Sequence, residues 1–274
     1  MAFQRVIKDE FYTIYDNIEK IYKSGYMKPE VFKDKIIYCN CDDYRWSNYV
    51  KFWKNNFKYF NIRKLIATNY DIGEGAYIYT YDGQNETIEQ GREDGSFEHY
   101  SDFINNDTIV VTNPPFSRSK DYFNFLKNNN SKFYIHSSIL NTIKFWNDLN
   151  DIYFLCKSDY SLYELYGVKK FVAASGVVTN IGYDKTSSKV KLTKTFDEVK
   201  HDFYYEEDFY KGDTWKGKIL NVDWNNKIPY DYDDFIGVPI SFLCVQPWIR
   251  KQYKIYGVTR YGKKFFRLRI KKIK

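Results

Sequence analysis

Apolar positions along this chain fall into two rhythms. Residues 35–39, 64–68, 108–112, 132–136 and 152–155 are short continuous runs of apolar and β-branched residues, the pattern of strands buried on both faces. Between them the spacing becomes helical. Ile14, Ile18, Ile21 and Tyr22 share one face of a helix over 15–23, and residues 45–60 form an amphipathic stretch rich in Tyr, Phe and Trp. Further helices are predicted over 118–127 and through Trp146, and a hairpin over 76–89 turns at Asp82-Gly83. Strands alternating with helices predict an α/β fold with a mostly parallel sheet covered on both faces. After residue 170 the rhythm changes to β-like runs at 171–178, 189–195, 218–222, 253–258 and 265–270, separated by polar loops, with an acidic exposed loop over 197–213. Two regions follow, 1–170 and a smaller β-rich 171–274. The boundary is soft, because a strand of the second region can complete the first sheet.

In such sheets ligands sit beyond the carboxyl ends of the strands. Residues 40–43, 68–71 and 113–116 therefore share one rim. The most informative is Asn113-Pro114-Pro115-Phe116, directly after the 108–112 strand. Two prolines can neither donate to a sheet ladder nor continue a helix, so the chain leaves in a fixed extended turn, with Ser117 placed to cap the next helix. An Asn oxygen and the following carbonyl can accept both hydrogens of an exocyclic amine, and an aromatic can stack on a base. The competing reading is a rigid strand-to-helix turn with a packed Phe. Asp42 and Asp43 allow two roles, a ligand contact or a cap on the helix that starts near Arg45.

Charge changes the picture only once it is located. The net charge is +7, yet residues 250–274 hold 11 basic residues and no acidic one, so the remainder is net acidic. Arg260, Lys263, Lys264, Arg267 and Arg269 lie in this tail, and from 267 cations alternate with apolar residues, as in a strand with one cationic face. That face suits a DNA phosphate backbone. Equally, it suits a solvated edge strand kept from aggregating. The 20% aromatic content accompanies abundant Lys, Asn and Ile, as codon bias would produce, and is no evidence for nucleic acid. No stretch approaches a membrane span or a secretory leader, and Cys39, Cys41, Cys156 and Cys244 support neither a disulfide framework nor a zinc site. A reduced cytoplasmic chain with no metal is expected.

Further segments make a specific match: Asp9-Glu10-Phe11-Tyr12-Thr13, Tyr38-Cys39-Asn40-Cys41-Asp42-Asp43, Lys64-Leu65-Ile66-Ala67-Thr68, residues 107–117, Val178-Thr179-Asn180, and Ile228-Pro229-Tyr230-Asp231-Tyr232 running into Gly237-Val238-Pro239-Ile240-Ser241-Phe242-Leu243. In order and spacing the chain resembles the EcoRI-type adenine-specific DNA methyltransferase family along most of its length. The resemblance implies a Rossmann-like methyltransferase domain over 1–170 and a target-recognition region over 171–274 that ends in the basic tail. It implies transfer of a methyl group from S-adenosylmethionine to N6 of a flipped adenine in double-stranded DNA. The setting would be a restriction-modification system, whose endonuclease acts on the same site without necessarily binding this chain, or a phage or orphan enzyme. By position, Asn113 and the Pro114 carbonyl would hold the amino group, with Pro115 stiffening the loop and Phe116 stacking on the base. Phe11, Tyr12 and Thr13 would close over the methionine end of the cofactor, with Asn40, Asp42 and Asp43 at the first-strand tip. At the cofactor's adenine the family leads one to expect an acidic residue directly before an aromatic; here Ser96 precedes Phe97, and Asp94 stands two places earlier. A cytosine N4 target, or a catalytically weak DNA-binding homologue, are the alternative readings.

Overall fold

In the computed structural model the continuous apolar runs become the centre of an eight-stranded sheet. Residues 12–23, 27–71, 73, 75–147, 152–155, 162–165, 168–171, 175–181, 190–206, 217–245, 247–261 and 265–273 are described. The strands in chain order are β1 (Tyr12–Thr13), β2 (Ile36–Cys39), β3 (Lys64–Thr68), β4 (Tyr77–Tyr81), β5 (Glu86–Gln90), β6 (Thr108–Thr112), β7 (Lys132–Ser138), β8 (Tyr153–Leu155), β9 (Leu162–Leu165), β10 (Val168–Phe171) and β11 (Ser175–Thr179). The large sheet runs β5-β4-β3-β2-β6-β7-β11-β8. Its four central strands are parallel, and an antiparallel pair closes each edge. From β2 the chain crosses to β3 on one side, and later continues from β6 to β7 on the other. The order therefore reverses between β2 and β6, which opens a crevice at their carboxyl ends.

Alternation decides what covers each face. Ile37, Leu65, Ile109 and Val111 pack with Ile18, Ile21 and Tyr22 of α1 (Tyr15–Lys23) and with Val50, Phe52 and Trp53 of α2 (Asn48–Asn55). Phe32 and Phe60 fill the same cluster, and each such ring removed from water contributes about 1.5–3 kcal/mol. The single helix read over 45–60 is in fact two, α2 and α3 (Phe57–Phe60), which meet at Asn56. Tyr122 and Phe125 of α4 (Ser119–Asn128) pack against Phe97, at ring separations of 4.9 and 5.2 Å.

The described residues fall into two compact units, bounded as 1–145 with 152–184 and as 146–151 with 185–274. Strand β11, read from sequence with the second region, pairs with β7 and β8 in the large sheet. Strands β1, β9 and β10 form a small antiparallel sheet of their own. The second unit holds β12 (Phe203–Glu206), β13 (Gly217–Asn221), β14 (Ile236–Pro239), β15 (Tyr253–Tyr261) and β16 (Phe265–Lys272), in the order β12-β13-β14-β16-β15. Two expectations fail here. The described part of the 189–195 run forms no ladder strand, only an isolated bridge from Lys194 to Pro229, and the loop read over 197–213 contributes β12. Among the described residues no helix is long and apolar enough to cross a membrane.

Candidate active site

Strand β6 is buried at all five positions, and it delivers Asn113, half-buried, to the crevice. Pro115 takes φ −60° and ψ 124°, extending the chain before a single 3₁₀ turn over Phe116–Arg118. Ser117 does not cap the next helix as expected. The turn intervenes, α4 starts at Ser119, and the Ser119 hydroxyl donates to the Phe116 carbonyl at 2.6 Å. The Arg118 N–H donates to the Pro115 carbonyl at 3.1 Å.

On the neighbouring strand tip, Asp42 joins four elements. Its N–H donates to the Thr68 carbonyl (3.0 Å), and its carboxylate accepts from the Ser47 hydroxyl (2.6 Å) and from the Thr112 hydroxyl. The cap on α2 is Ser47 rather than the carboxylate pair: its hydroxyl oxygen accepts from the N–H groups of Tyr49 and Val50. Asp42 is only 7% exposed, and burial, with the charge of Asp43 adding to it, raises its pKa to about 6 against the pull of both hydroxyl bonds. Asp43 turns the other way, accepting from the N–H and Nε of Arg45 at 2.9 Å each. His136 of β7 is held neutral by burial, its pKa pushed down to about 3, and its Nδ1 meets the Tyr49 hydroxyl.

Two adjoining cavities open beside this loop. The smaller, about 70 Å³, is lined by Tyr12, Thr13, Asp42, Asn113, Pro114 and Pro115, together with Trp46, Ser47, Asn48 and Tyr49. The larger, about 470 Å³, lies against Asn40, Ser96 and Phe97 with Tyr70, Glu98 and Arg118. Cys41 and Pro115 line both. Of the residues singled out from sequence, Asp43 and Phe116 line neither cavity, and Phe11 lies outside the described residues. Asn40 Nδ2, whose companion oxygen is taken by the Tyr122 hydroxyl at 2.6 Å, and Thr13 Oγ1 are buried polar atoms without a hydrogen-bond partner among the described residues.

The larger cavity owes its wall to Gly95. At φ +74° it sits so close to the chain leaving β3 that a Cβ there would lie 2.0 Å from the Asn69 carbonyl oxygen. The Asp71 N–H bonds the Asp94 carbonyl at 2.7 Å, which completes the docking and presents Ser96 and Phe97. Sequence reasoning missed Thr112, Ser47, Glu98 and Arg118. Their only local signal was proximity to a motif, Thr112 and Arg118 flanking the proline loop and Ser47 standing before α2.

The cationic strip of the second unit is arranged differently from expectation. Arg267 and Arg269 are 8% and 3% exposed. Arg267 donates to the Asn221 side-chain oxygen and to Asp223, both at 3.0 Å, while the Arg269 guanidinium lies 5.4 Å from the Phe235 ring centre. Both faces of β16 are covered over 267–270, so alternation there does not separate a wet face from a dry one. Lys263, Lys264 and the side chain of Arg260 fall outside the described residues.

Comparison with known proteins gives this geometry a lineage. A family model described as adenine-specific methyltransferase EcoRI matches residues 2–272. The chain is 29% identical to the Type II methyltransferase M.EcoRI of Escherichia coli, with 86% of this chain and 82% of that protein covered. It is 29% identical to M.MgeORF184P of Mycoplasma genitalium (90% and 82% covered) and 26% identical to M.MpnI of Mycoplasma pneumoniae (90% and 81%). No solved structure matches the chain. With the Asn-Pro-Pro-Phe loop at the sheet reversal and a family match over nearly its whole length, the chain belongs to the EcoRI family of adenine-specific methyltransferases.

Proposed function

We propose that this methyltransferase takes its methyl group from S-adenosylmethionine and delivers it to N6 of an adenine extruded from a short site in double-stranded DNA. The observation that carries the reading is the junction of the two cavities at Cys41 and Pro115, beside Asn113. The larger has room for a nucleoside, and the smaller is narrow and bordered by the Asp42 carboxylate. The residues present fit such a cofactor. Asn40 Nδ2 and Thr13 Oγ1 are buried without a hydrogen-bond partner among the described residues and call for a polar ligand. An acid at Asp42 suits a cationic methionine end. When bound, S-adenosylmethionine supplies a methyl group activated by its sulfonium charge.

The remaining work belongs to side chains of this protein. An adenine amino group is a poor nucleophile because its lone pair is delocalised into the ring. The Asn113 side-chain oxygen and the Pro114 carbonyl accept its two hydrogens and turn the lone pair toward the methyl group, by orientation and electrostatics. Phe116 stacks on the extruded base and offsets part of the unstacking cost of a few kcal/mol. Tyr12, Thr13 and Asp42 border the methionine end, joined by Phe11 on the family's pattern. Asn40, Ser96 and Phe97 border the nucleoside. Asp43, already committed to Arg45, shapes the turn instead.

Phosphate contact is assigned to Arg260, Lys263 and Lys264. Arg267 and Arg269, buried on internal partners, hold β16 in its sheet. The relatives are Type II methyltransferases by name, which supports a restriction endonuclease acting on the same DNA site and a cytoplasmic location. The test is transfer of labelled methyl from S-adenosylmethionine to duplex DNA, followed by nucleoside analysis. N6-methyladenine is expected. N4-methylcytosine alone would overturn the adenine target, and labelling confined to RNA or protein would overturn the DNA substrate.

A further inference from the structure

Ser96 stands where the family pattern leads one to expect an acid, yet a carboxylate reaches the same place from the other side of Phe97. Glu98 accepts from the Ser96 hydroxyl through one oxygen and from Arg118 Nη2 through the other. Arg118 Nη1 donates to Ser96 Oγ at 2.8 Å, and its guanidinium carbon lies 4.7 Å from the centre of the Phe97 ring. One arginine thus touches three consecutive residues, all of them lining the larger cavity. Through its backbone the same residue reaches the methyl-transfer loop, since the Arg118 N–H donates to the Pro115 carbonyl at 3.1 Å. Pro115 lines both cavities.

Stability is a weak reason for this arrangement. The Arg118 and Glu98 side chains are 38% and 40% exposed, and ion pairs this wet contribute little to folding. Geometry is a better one. A guanidinium is a planar fork that fixes direction as well as distance, which an ammonium does not. We infer that Arg118 is a positioning residue for methyl transfer, setting through its side chain the 96–98 wall of the nucleoside cavity and through its backbone the Pro115 end of the loop that holds the target amine. The inference rests on the reading of the site given above.

The experiment uses the full chain. Wild-type protein is first checked for calorimetric binding of S-adenosylmethionine and for methyl transfer to duplex DNA; failure there sinks the reading of the site itself. Arg118→Ala keeps the backbone bond to Pro115 but frees residue 118 from the 96–98 wall that fixes its position; it is expected to melt with the wild type but to raise KM for S-adenosylmethionine and lower kcat at saturating cofactor. Together these reduce kcat/KM on the order of 10- to 100-fold, the scale of a small misplacement at a reacting centre. Arg118→Lys keeps the charge without the fork and recovers only part of the loss. Glu98→Gln shows the same pattern more weakly, and the double variant is no worse than Arg118→Ala, because the two residues act as one unit. A raised KM with kcat unchanged in both Arg118 variants would reduce Arg118 to cavity wall and overturn the inference. So would full activity in Arg118→Lys, or losses from Glu98→Gln and Arg118→Ala that multiply.

Discussion

Thr112 and Arg118 flank the Asn113–Phe116 loop, and each leads to a carboxylate, yet the two carboxylates live in different solvents. Thr112 donates to Asp42, which is 7% exposed and, among the described residues, bonded to hydroxyl groups and the backbone. Arg118 pairs with Glu98, whose side chain is 40% exposed. The buried anchor holds an ion that pairs with no cation among the described residues, where desolvation is expensive, so it is rigid and costs stability. The wet anchor costs almost nothing and contributes almost nothing to folding; what it supplies is direction. One loop is thereby fixed on the Asn113 side through a buried charge and on the Pro115 side by the backbone of a residue whose side chain makes an exposed ion pair.

The sharpest tests separate the two. Asn113→Ala sets the ceiling for both, because each anchor acts by placing this loop. Its turnover should fall on the order of 10²–10³-fold, as when a single oriented polar contact to a reacting group is lost, with DNA affinity in a gel-shift assay kept. No anchor variant should exceed it, and one that does would have a role of its own.

Next in size is the pH dependence of the buried anchor. Burial raises the Asp42 pKa from 3.8 to about 6, so between those values the native chain holds a proton that the unfolded chain has released. Stability from this group is therefore greatest below the unfolded value and falls as pH rises through about 6, by roughly 3 kcal/mol in all. Asp42→Asn should consequently melt above wild type at pH 8, and the advantage should vanish toward pH 4. Its activity should move the other way. Protonation turns one Asp42 oxygen into a donor and weakens its acceptance from the two hydroxyls, so wild-type turnover should fall below about pH 6. The variant should be slow throughout, without that limb. A variant less stable than wild type at pH 8 would make Asp42 an ordinary structural residue.

Thr112→Val removes one donor and keeps the shape. It should cost about 1.5–3 kcal/mol by denaturant melts, as loss of a hydrogen bond to a charged group does, and should move the acid limb to higher pH. The smallest expected change is in the stability of Arg118→Ala, ~0–1 kcal/mol by the same melts, whatever its kinetic loss. A larger drop would place the wet anchor beside the buried one and dissolve the contrast.

Much of the frame was legible in the order of residues. Thr108–Thr112 is β-branched without a break and is followed, after Asn113, by two prolines, so a strand buried on both faces had to stop at Asn113. The same reasoning brought residues 40–43 and 113–116 to one rim, because parallel strands carry their tips to one side. Alternation in β16 revealed which residues share a face but not what lies over it. Arg267 is buried because Asn221 and Asp223 meet it from another strand and the turn after it, and nothing near 267 in the chain records that. Residues 190–193 have strand-like spacing and yet pair with no strand among the described residues. The Glu98–Arg118 pair joins side chains 20 positions apart with strand β6 between them in the chain, where Gly95 packs against Asn69.

The most direct measurement is the identity of the methylated nucleoside in duplex DNA treated with wild-type protein and with Asn113→Ala at equal DNA occupancy. N6-methyladenine from the wild type, and its near-complete loss in the variant, is the predicted result. N6-methyladenine formed equally by both would contradict the assignment of Asn113 as the residue that orients the target amine.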